Sequence, residues 1–453
     1  MQSLSSRTVG YGGVLAAAAV LGCQLFIPPR VGIANNGDFG KVAGIFALHA
    51  PIEDEYAFAD LKYHFEPRYR LWFGHYSSET LLAGLGIALN NLFSTAGVFD
   101  MRWMGLVHGL LFALGLHLIQ PLLAEMSCPR QAFLSAAAVF VFGDFMYTSY
   151  FNSFYMDAAT YVSLMLAVVF FLRAAKWRKW RESIALVVCV VFMLLSKPQH
   201  AVLGVWVTAL FALFGASLWP RYGRALSLYS AAIVGAATVF GMKAALPDYA
   251  AHGYYTVIFF QILPNSRDVT RDLLALGSST HAFSDGSGMN DPTFVRAFME
   301  RTSYARLGWY FLTHPRDGRL ALETSLAEAG RQRPVMGNFD RSSGLPVFTE
   351  SQAFSLWSNV KRKLFYGHGA RYLAGYMLTT VLFCLIASAR RRSMPGVLLA
   401  GAYALSGMAV TAMLVASLAD AVEVTRHHFI ASALLDLQLV LGSVLVIRPA
   451  LNR

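Results

Sequence analysis

Charge is scarce in this sequence. Only 14% of its 453 residues are Asp, Glu, Lys or Arg, while 56% are hydrophobic. A soluble globular domain carries about 25% charged residues, so a soluble enzyme or binding module is excluded. The mean hydropathy of +0.48 instead indicates a polytopic membrane protein. Acidic residues are scarcer than basic ones, 26 against 37, for a formal net charge of +11. The excess does not indicate a nucleic-acid partner, because the basic residues cluster in short tracts at the ends of apolar runs, as membrane topology requires. Cysteine is also scarce. Cys23, Cys189 and Cys384 lie in apolar runs and Cys128 in a short polar connection, which excludes a disulfide framework and a cysteine metal site. "AVLGC" at Cys23 has the form of a lipoprotein cleavage box, yet the apolar stretch continues to Ile27, so an uncleaved first helix is expected. Internal repeats, heptads and Asn-x-Ser/Thr sequons are all missing, the last being compatible with a bacterial source.

What is present is a series of apolar runs of spanning length, at about residues 9–29, 102–122, 131–148, 157–173, 182–198, 200–218, 225–246, 371–389, 396–418 and 428–447. A shorter run at 78–93 contains Asn90 and Asn91. The tracts Arg173–Arg181, Arg221–Arg224 and Arg390–Arg392 and the tail from Arg448 share the cytoplasmic side only if 78–93 does not cross. That run is therefore expected to lie at the outer interface, giving about ten crossings with both termini cytoplasmic. The expected fold is an all-α polytopic bundle in three parts. Residues 1–246 form an N-terminal transmembrane catalytic module with a long first outer loop, 30–101. An extracytoplasmic region, 247–370, and C-terminal transmembrane helices, 371–453, follow. Within 247–370, Gly277–Pro292 reads as turns, 292–315 as amphipathic helix, and Ser355–His368 as an interfacial helix. Glu53, Asp54 and Glu55 read as a solvated run.

Ionisable residues gather at the outer mouths of the helices. Asp38 follows the first crossing in "NNGDFGK", Asp157 starts the fourth in "YFNSFYMDAAT", Lys197 caps the fifth in "LLSKPQH", and Arg426, His427 and His428 precede the tenth. Bland readings exist for each. Asp38 could be a turn carboxylate and Asp157 a helix cap, Lys197 could snorkel to the interface, and the two histidines could be structural. The centres of the crossings are nearly free of charge, so an acid and two cations at the mouths are the informative feature. Such a set suits transfer of a group from a lipid-linked phosphate to a hydroxyl, because a phosphate leaving group needs a base for the acceptor and cations for the departing anion. Asp38, Asp157 and Lys197 are the catalytic candidates. Asn35, Asn36, Asn152, Tyr155, Gln199, Arg426 and His427 are the candidate substrate contacts. A divalent cation (Mg or Mn) on Asp38 and Asp157 stays open.

At these residues the sequence resembles the membrane-embedded glycosyltransferases of the GT-C superfamily, which use polyprenyl-phosphate sugars. The resemblance places an essential acid in the first outer loop (Asp38), a second acidic motif after the third crossing (Asp157), and a lysine at the outer end of the fifth (Lys197). It is closer to the bacterial glycan biosynthesis hexose transferases through "NNGDFG", "YFNSFYMD", "SKPQ", "YYTVIFFQILPNSRDVTRDLLALG", "THP" and "GNFD", in that order from Ala34 to Arg426. Asp157 is followed by alanine where the superfamily often has proline, and the first loop lacks adjacent paired acids. The resemblance implies a GT-C-like bundle in a bacterial inner membrane and a polyprenyl-phosphate sugar donor. It also implies transfer of a hexose to a glycan or glycolipid acceptor on the extracytoplasmic face. Two rivals remain. A transporter or lipid flippase would place polar and broken-helix elements near mid-membrane, and a glycan polymerase or ligase would rely on arginines and histidines such as Arg426.

Overall fold

The computed structural model describes residues 2–50, 56–66, 76–94, 97–244, 247–278 and 292–447. In hydrocarbon every backbone N–H and C=O must find its partner within the segment, so apolar runs of this length become helices. The first half contains α1 (Gln2–Leu25), α2 (Glu79–Phe93), α3 (Arg102–Leu123), α4 (Cys128–Phe142), α5 (Met156–Trp177), α6 (Trp180–Leu194), α7 (Gly204–Phe214) and α8 (Gly223–Lys243). The second half contains α9 (Pro247–Thr256), α10 (Val269–Leu276), α11 (Pro292–Arg301), α12 (Tyr304–Thr313), α13 (Pro315–Ala329), α14 (Leu356–Phe365), α15 (Gly369–Ala389), α16 (Gly396–Leu418) and α17 (Phe429–Ile447).

Among the described residues eight helical segments are long and apolar enough to cross a membrane: Thr8–Leu25 of α1, α3, α5, Pro198–Leu218 around α7, α8, α15, α16 and α17. They bury one side and leave leucine, valine and phenylalanine exposed on the other, as a lipid-facing bundle does. Two expected runs come out differently. The run at 131–148 is broken: α4 and Phe145–Asn152 meet at 52° and make at most a ninth, bent span. The break has a local cause, since the Asp144 carboxylate accepts from Met146 N at 2.9 Å and caps a new helical turn at Phe145. The run at 182–198 yields only the 15-residue α6, folded back on α5 as a hairpin and ended by Pro198.

The first loop contains a small antiparallel sheet that the helical pattern did not announce. Its strands are β1 (Leu48–His49), β2 (Lys62–Phe65) and β3 (Val98–Asp100), paired Leu48 to Phe65 and Tyr63 to Phe99. Asn90 of α2 holds β3 by donating to Val98 O at 2.9 Å and accepting from Asp100 N at 3.0 Å. Glu53, Asp54 and Glu55, and most of Gly277–Pro292, lie outside the described residues.

The amphipathic stretch 292–315 is two helices, because Ser303 caps α12 by accepting from Arg306 N at 3.2 Å. α14 does more than lie at an interface. Lys361 on it is buried and its Nζ sits 2.8 Å from Asp436 Oδ2 of α17. That corrects the expectation of nearly charge-free crossings, since Asp436 lies inside one.

Candidate functional site

The turn at residues 35–38 builds itself. Asn35 Oδ1 accepts from Gly37 N at 2.9 Å and from Phe39 N at 3.1 Å, and Asn36 Oδ1 accepts from Asp38 N at 3.1 Å. These nested side-chain turns are what Asn does best. Gly37 sits between them at φ 92°, which glycine adopts without a Cβ penalty. The result aims the Asp38 carboxylate at the turn Val424–His427 between α16 and α17.

There Asp38 Oδ2 accepts from Arg426 Nη1 at 2.5 Å, while Oδ1 pairs with Lys41. Arg426 also donates through Nε and Nη2 to Glu423 Oε2, at 2.8 and 2.6 Å, and Asn36 Nδ2 donates to the same oxygen at 2.6 Å. Arg426 lies over the Tyr155 ring, 5.0 Å from its centroid, and the Tyr155 hydroxyl is 2.9 Å from Asn36 Oδ1. A guanidinium presents donors in a planar fork and stacks on an aromatic face, so only arginine meets all of these partners at once.

Two further pairs adjoin. Lys197 Nζ lies 3.2 and 3.4 Å from the Asp157 oxygens, with both side chains buried, at 0% and 2% exposure. Gln199 donates to His427 O at 3.0 Å and accepts from His427 Nδ1 at 2.9 Å, and His427 Nε2 is 3.4 Å from Asp420 Oδ2. Of the ten candidates picked from the sequence, Asn152 stands apart. Its amide donates to Leu25 O at 3.1 Å and Val31 O at 2.7 Å, tying the end of α1 to the loop.

The electrostatics follow from the pairing. Burial pushes the Asp38 carboxyl up, but Arg426, then Lys41, and more weakly Lys197, outweigh it and hold the group well below the usual carboxylate range. Gln199, two residues past Lys197, donates to the carbonyl of His427 next to Arg426, which ties the two charged pairs into one site. The oxygens of Asp38 and Asp157 are all engaged with cations, and among the described residues no group of three or more His, Cys, Asp or Glu is arranged to hold a metal ion. This donor set does not fit a divalent ion.

The model of the YfdI N-terminal transmembrane domain matches residues 4–453. The chain belongs to that family. Comparison with curated proteins and with solved structures gives no match. Family membership and the apolar helices together make it a multi-pass membrane protein.

In this member of the YfdI N-terminal domain family, three site residues escaped the sequence reading: Lys41, Asp420 and Glu423. Each stands within six residues of a residue that was picked, in "NNGDFGK" or "ADAVEVTRHH". The missing signal was pairing. A buried arginine needs anions, and the acids nearest Arg426 in sequence are the first place to look. Glu423 also holds a left-handed backbone at φ 52°, which aims its side chain back at Asn36.

Proposed function

We propose that the chain is a glycosyltransferase. It moves a hexose from a polyprenyl-phosphate donor to a hydroxyl of a glycan or lipid-linked glycan acceptor, on the extracytoplasmic face of a bacterial inner membrane. The observation that carries this reading is the contact between Asp38 and Arg426. Separated by 388 residues, they meet at 2.5 Å beside Tyr155, Asp157 and Lys197, and Asp38, Asp157 and Lys197 are the residues the GT-C resemblance also marks. The tracts that contain Lys176 and Arg390 lie at the opposite end of the bundle, where both line one cavity together with Glu125. That separation accords with a charged site facing away from the cytoplasm.

In the resting arrangement every cation already faces a carboxylate. Asp38 is thus held as the stand-in for the donor phosphate on Arg426. When the phosphate takes that place, Asp38 is released, its proton affinity rises towards the ordinary range, and it can accept the acceptor's proton. The acceptor oxygen attacks the anomeric carbon as the carbon–oxygen bond to phosphate breaks. The proton passes to Asp38, and the charge left on the carrier phosphate rests on Arg426 and Lys197. Asn36 and Tyr155 orient sugar hydroxyls. No step passes through a metal ion.

The test is direct. Purified protein in lipid vesicles is incubated with a panel of polyprenyl-phosphate hexoses and a glycan acceptor, and release of free polyprenyl phosphate is measured. Release with one donor supports the reading. A transporter or flippase would move donor across the vesicle and release none, and that result would overturn it.

A further inference from the structure

We propose that Ser77, Ser78, Glu79 and His108 form a clamp that sets the Asp157–Lys197 ion pair. They are positioning residues for the reaction proposed above, and the functional half of this inference rests on that reading. The two charges arrive on different helices. Asp157 lies in the first turn of α5, and Lys197 stands just past the end of α6. Both helix ends leave backbone groups without an intrahelical partner.

One short segment answers both ends. Ser77 Oγ donates to Ser196 O at 2.6 Å, Ser78 Oγ to Phe192 O at 2.7 Å, and Ser78 N to Leu195 O at 3.0 Å. The carbonyls of the last turn of α6, immediately before Lys197, are therefore held. The next residue turns the other way: Glu79 Oε2 accepts from Ala159 N at 3.0 Å, two residues past Asp157. Thr160 Oγ1, 2.5 Å from Ser196 Oγ, closes the ring between the two helices.

Glu79 is itself fixed from behind. Its Oε1 lies 3.1 Å from His108 Nε2, both side chains are fully buried, and His108 Nδ1 is 2.9 Å from Phe151 O. A carbonyl only accepts, so Nδ1 carries a hydrogen and a single proton is shared between Nε2 and Glu79. Glu79 cannot leave Ala159 without stranding a buried imidazole. Polar groups so deep in an apolar bundle are costly, and apolar packing alone would join two helices. What the clamp adds is a fixed spacing between the backbone at 157–160 and the backbone at 195–197, and with it the distance between the two charges.

The experiment compares the wild type with Glu79→Gln, Glu79→Leu and the double variant Ser77→Ala/Ser78→Ala, all in lipid nanodiscs. Two readouts are taken. One is modification of Lys197 by a small amine-reactive ester, mapped by mass spectrometry. The other is turnover of the same panel of polyprenyl-phosphate hexoses. Glutamine keeps both contacts, its oxygen facing Ala159 N–H and its amide nitrogen facing His108, so labelling and turnover stay within about twofold of wild type. Leucine removes both contacts. Lys197, shielded in the wild type, becomes labelled, and turnover falls about tenfold to 100-fold for a displacement near 1 Å, with donor KM changed less than kcat. The serine variant moves both readouts in the same direction. Unchanged Lys197 labelling in the leucine and serine variants overturns the clamp, and increased labelling with unchanged turnover overturns its positioning role. A wild type that transfers no sugar removes the proposed reaction instead, and the labelling readout still decides whether the clamp sets the pair.

Discussion

Lys361 of α14 and Asp436 of α17 form an ion pair of 2.8 Å inside the bundle, with the lysine 4% and the aspartate 0% exposed. The same carboxylate oxygen accepts from Tyr147 OH at 2.6 Å and Trp357 Nε1 at 2.8 Å. Asp144, at the break between α4 and the turn at Phe145, accepts from Ser358 N at 3.0 Å. α14 is thereby pinned to both the bend and α17. Removing one partner of a buried pair strands the other, so Lys361→Met is expected to destabilise the protein by about 3–5 kcal/mol. Thermal unfolding in detergent measures this, and a shift no larger than that of Lys363→Met would show that the pair contributes little.

Asp38→Asn should abolish transfer while leaving insertion and donor binding intact, since an amide accepts a hydrogen bond but not a proton. The same variant reports on stability. The folded-state pKa of Asp38 is depressed, so its stabilising contribution is present above the unfolded value and is lost as pH falls through the folded value. The stability difference between wild type and Asp38→Asn should therefore stay flat from pH 8 to pH 5 and begin to shrink only below about pH 4. Guanidinium unfolding at a series of pH values checks the sign; a difference that vanishes by pH 6 would contradict it.

Legibility in the sequence followed covalent and electrostatic necessity. The long spans were readable because hydrocarbon allows only one backbone solution, and Asp38, Asn36, Tyr155 and Arg426 were readable because polar residues at helix mouths are few. The break at Asp144 was less so: a single capping carboxylate inside an apolar run looks like a tolerated polar residue until its acceptor role on Met146 N is seen. The strands of two to four residues in the first loop are too short to show alternation. Asp436 depends on a partner 75 residues away, Lys361, and no local pattern carries such information, whereas Glu423, three residues before Arg426, lay within reach of a local search for its counter-ion. Asn152 shows the converse. It lies in a site motif, but its amide serves the backbone of α1 and the loop.

Arg426→Lys tests whether the fork geometry matters or only the charge. Nη1 serves Asp38, while Nε and Nη2 serve Glu423. An ammonium on a flexible stem cannot span both carboxylates and stack on Tyr155. Turnover is expected to fall about 100-fold or more, as when a preorganised donor is removed, with the protein still folded because the charge persists. Kinetics of lipid-phosphate release provide the measure, and near-wild-type turnover would reduce Arg426 to a counter-ion.

Chelation should leave transfer unaffected. Asp38 and Asp157 engage their oxygens with Arg426, Lys41 and Lys197 rather than turning them towards a common point. Turnover in excess EDTA, compared with Mg- and Mn-supplemented reactions, is the check, and loss of activity restored by either ion would show that the site rearranges around a metal.

Lys197 poses a problem that a single substitution cannot solve. Lys197→Met strands the buried Asp157 carboxylate, so lost activity could reflect either a damaged fold, at about 3–5 kcal/mol, or a missing phosphate contact. The double variant Lys197→Met/Asp157→Asn separates the two, since a neutral amide no longer needs the ammonium. If Lys197 serves only to pair with Asp157, the double variant regains thermal stability, donor affinity and turnover together. If Lys197 also carries the departing phosphate, stability returns towards wild type while turnover stays down by about 100-fold, the scale on which one charged donor to a developing anion acts. The second outcome is the one expected, because the Gln199–His427 contacts hold Lys197 beside the Arg426 turn, where the proposed reaction puts the departing phosphate.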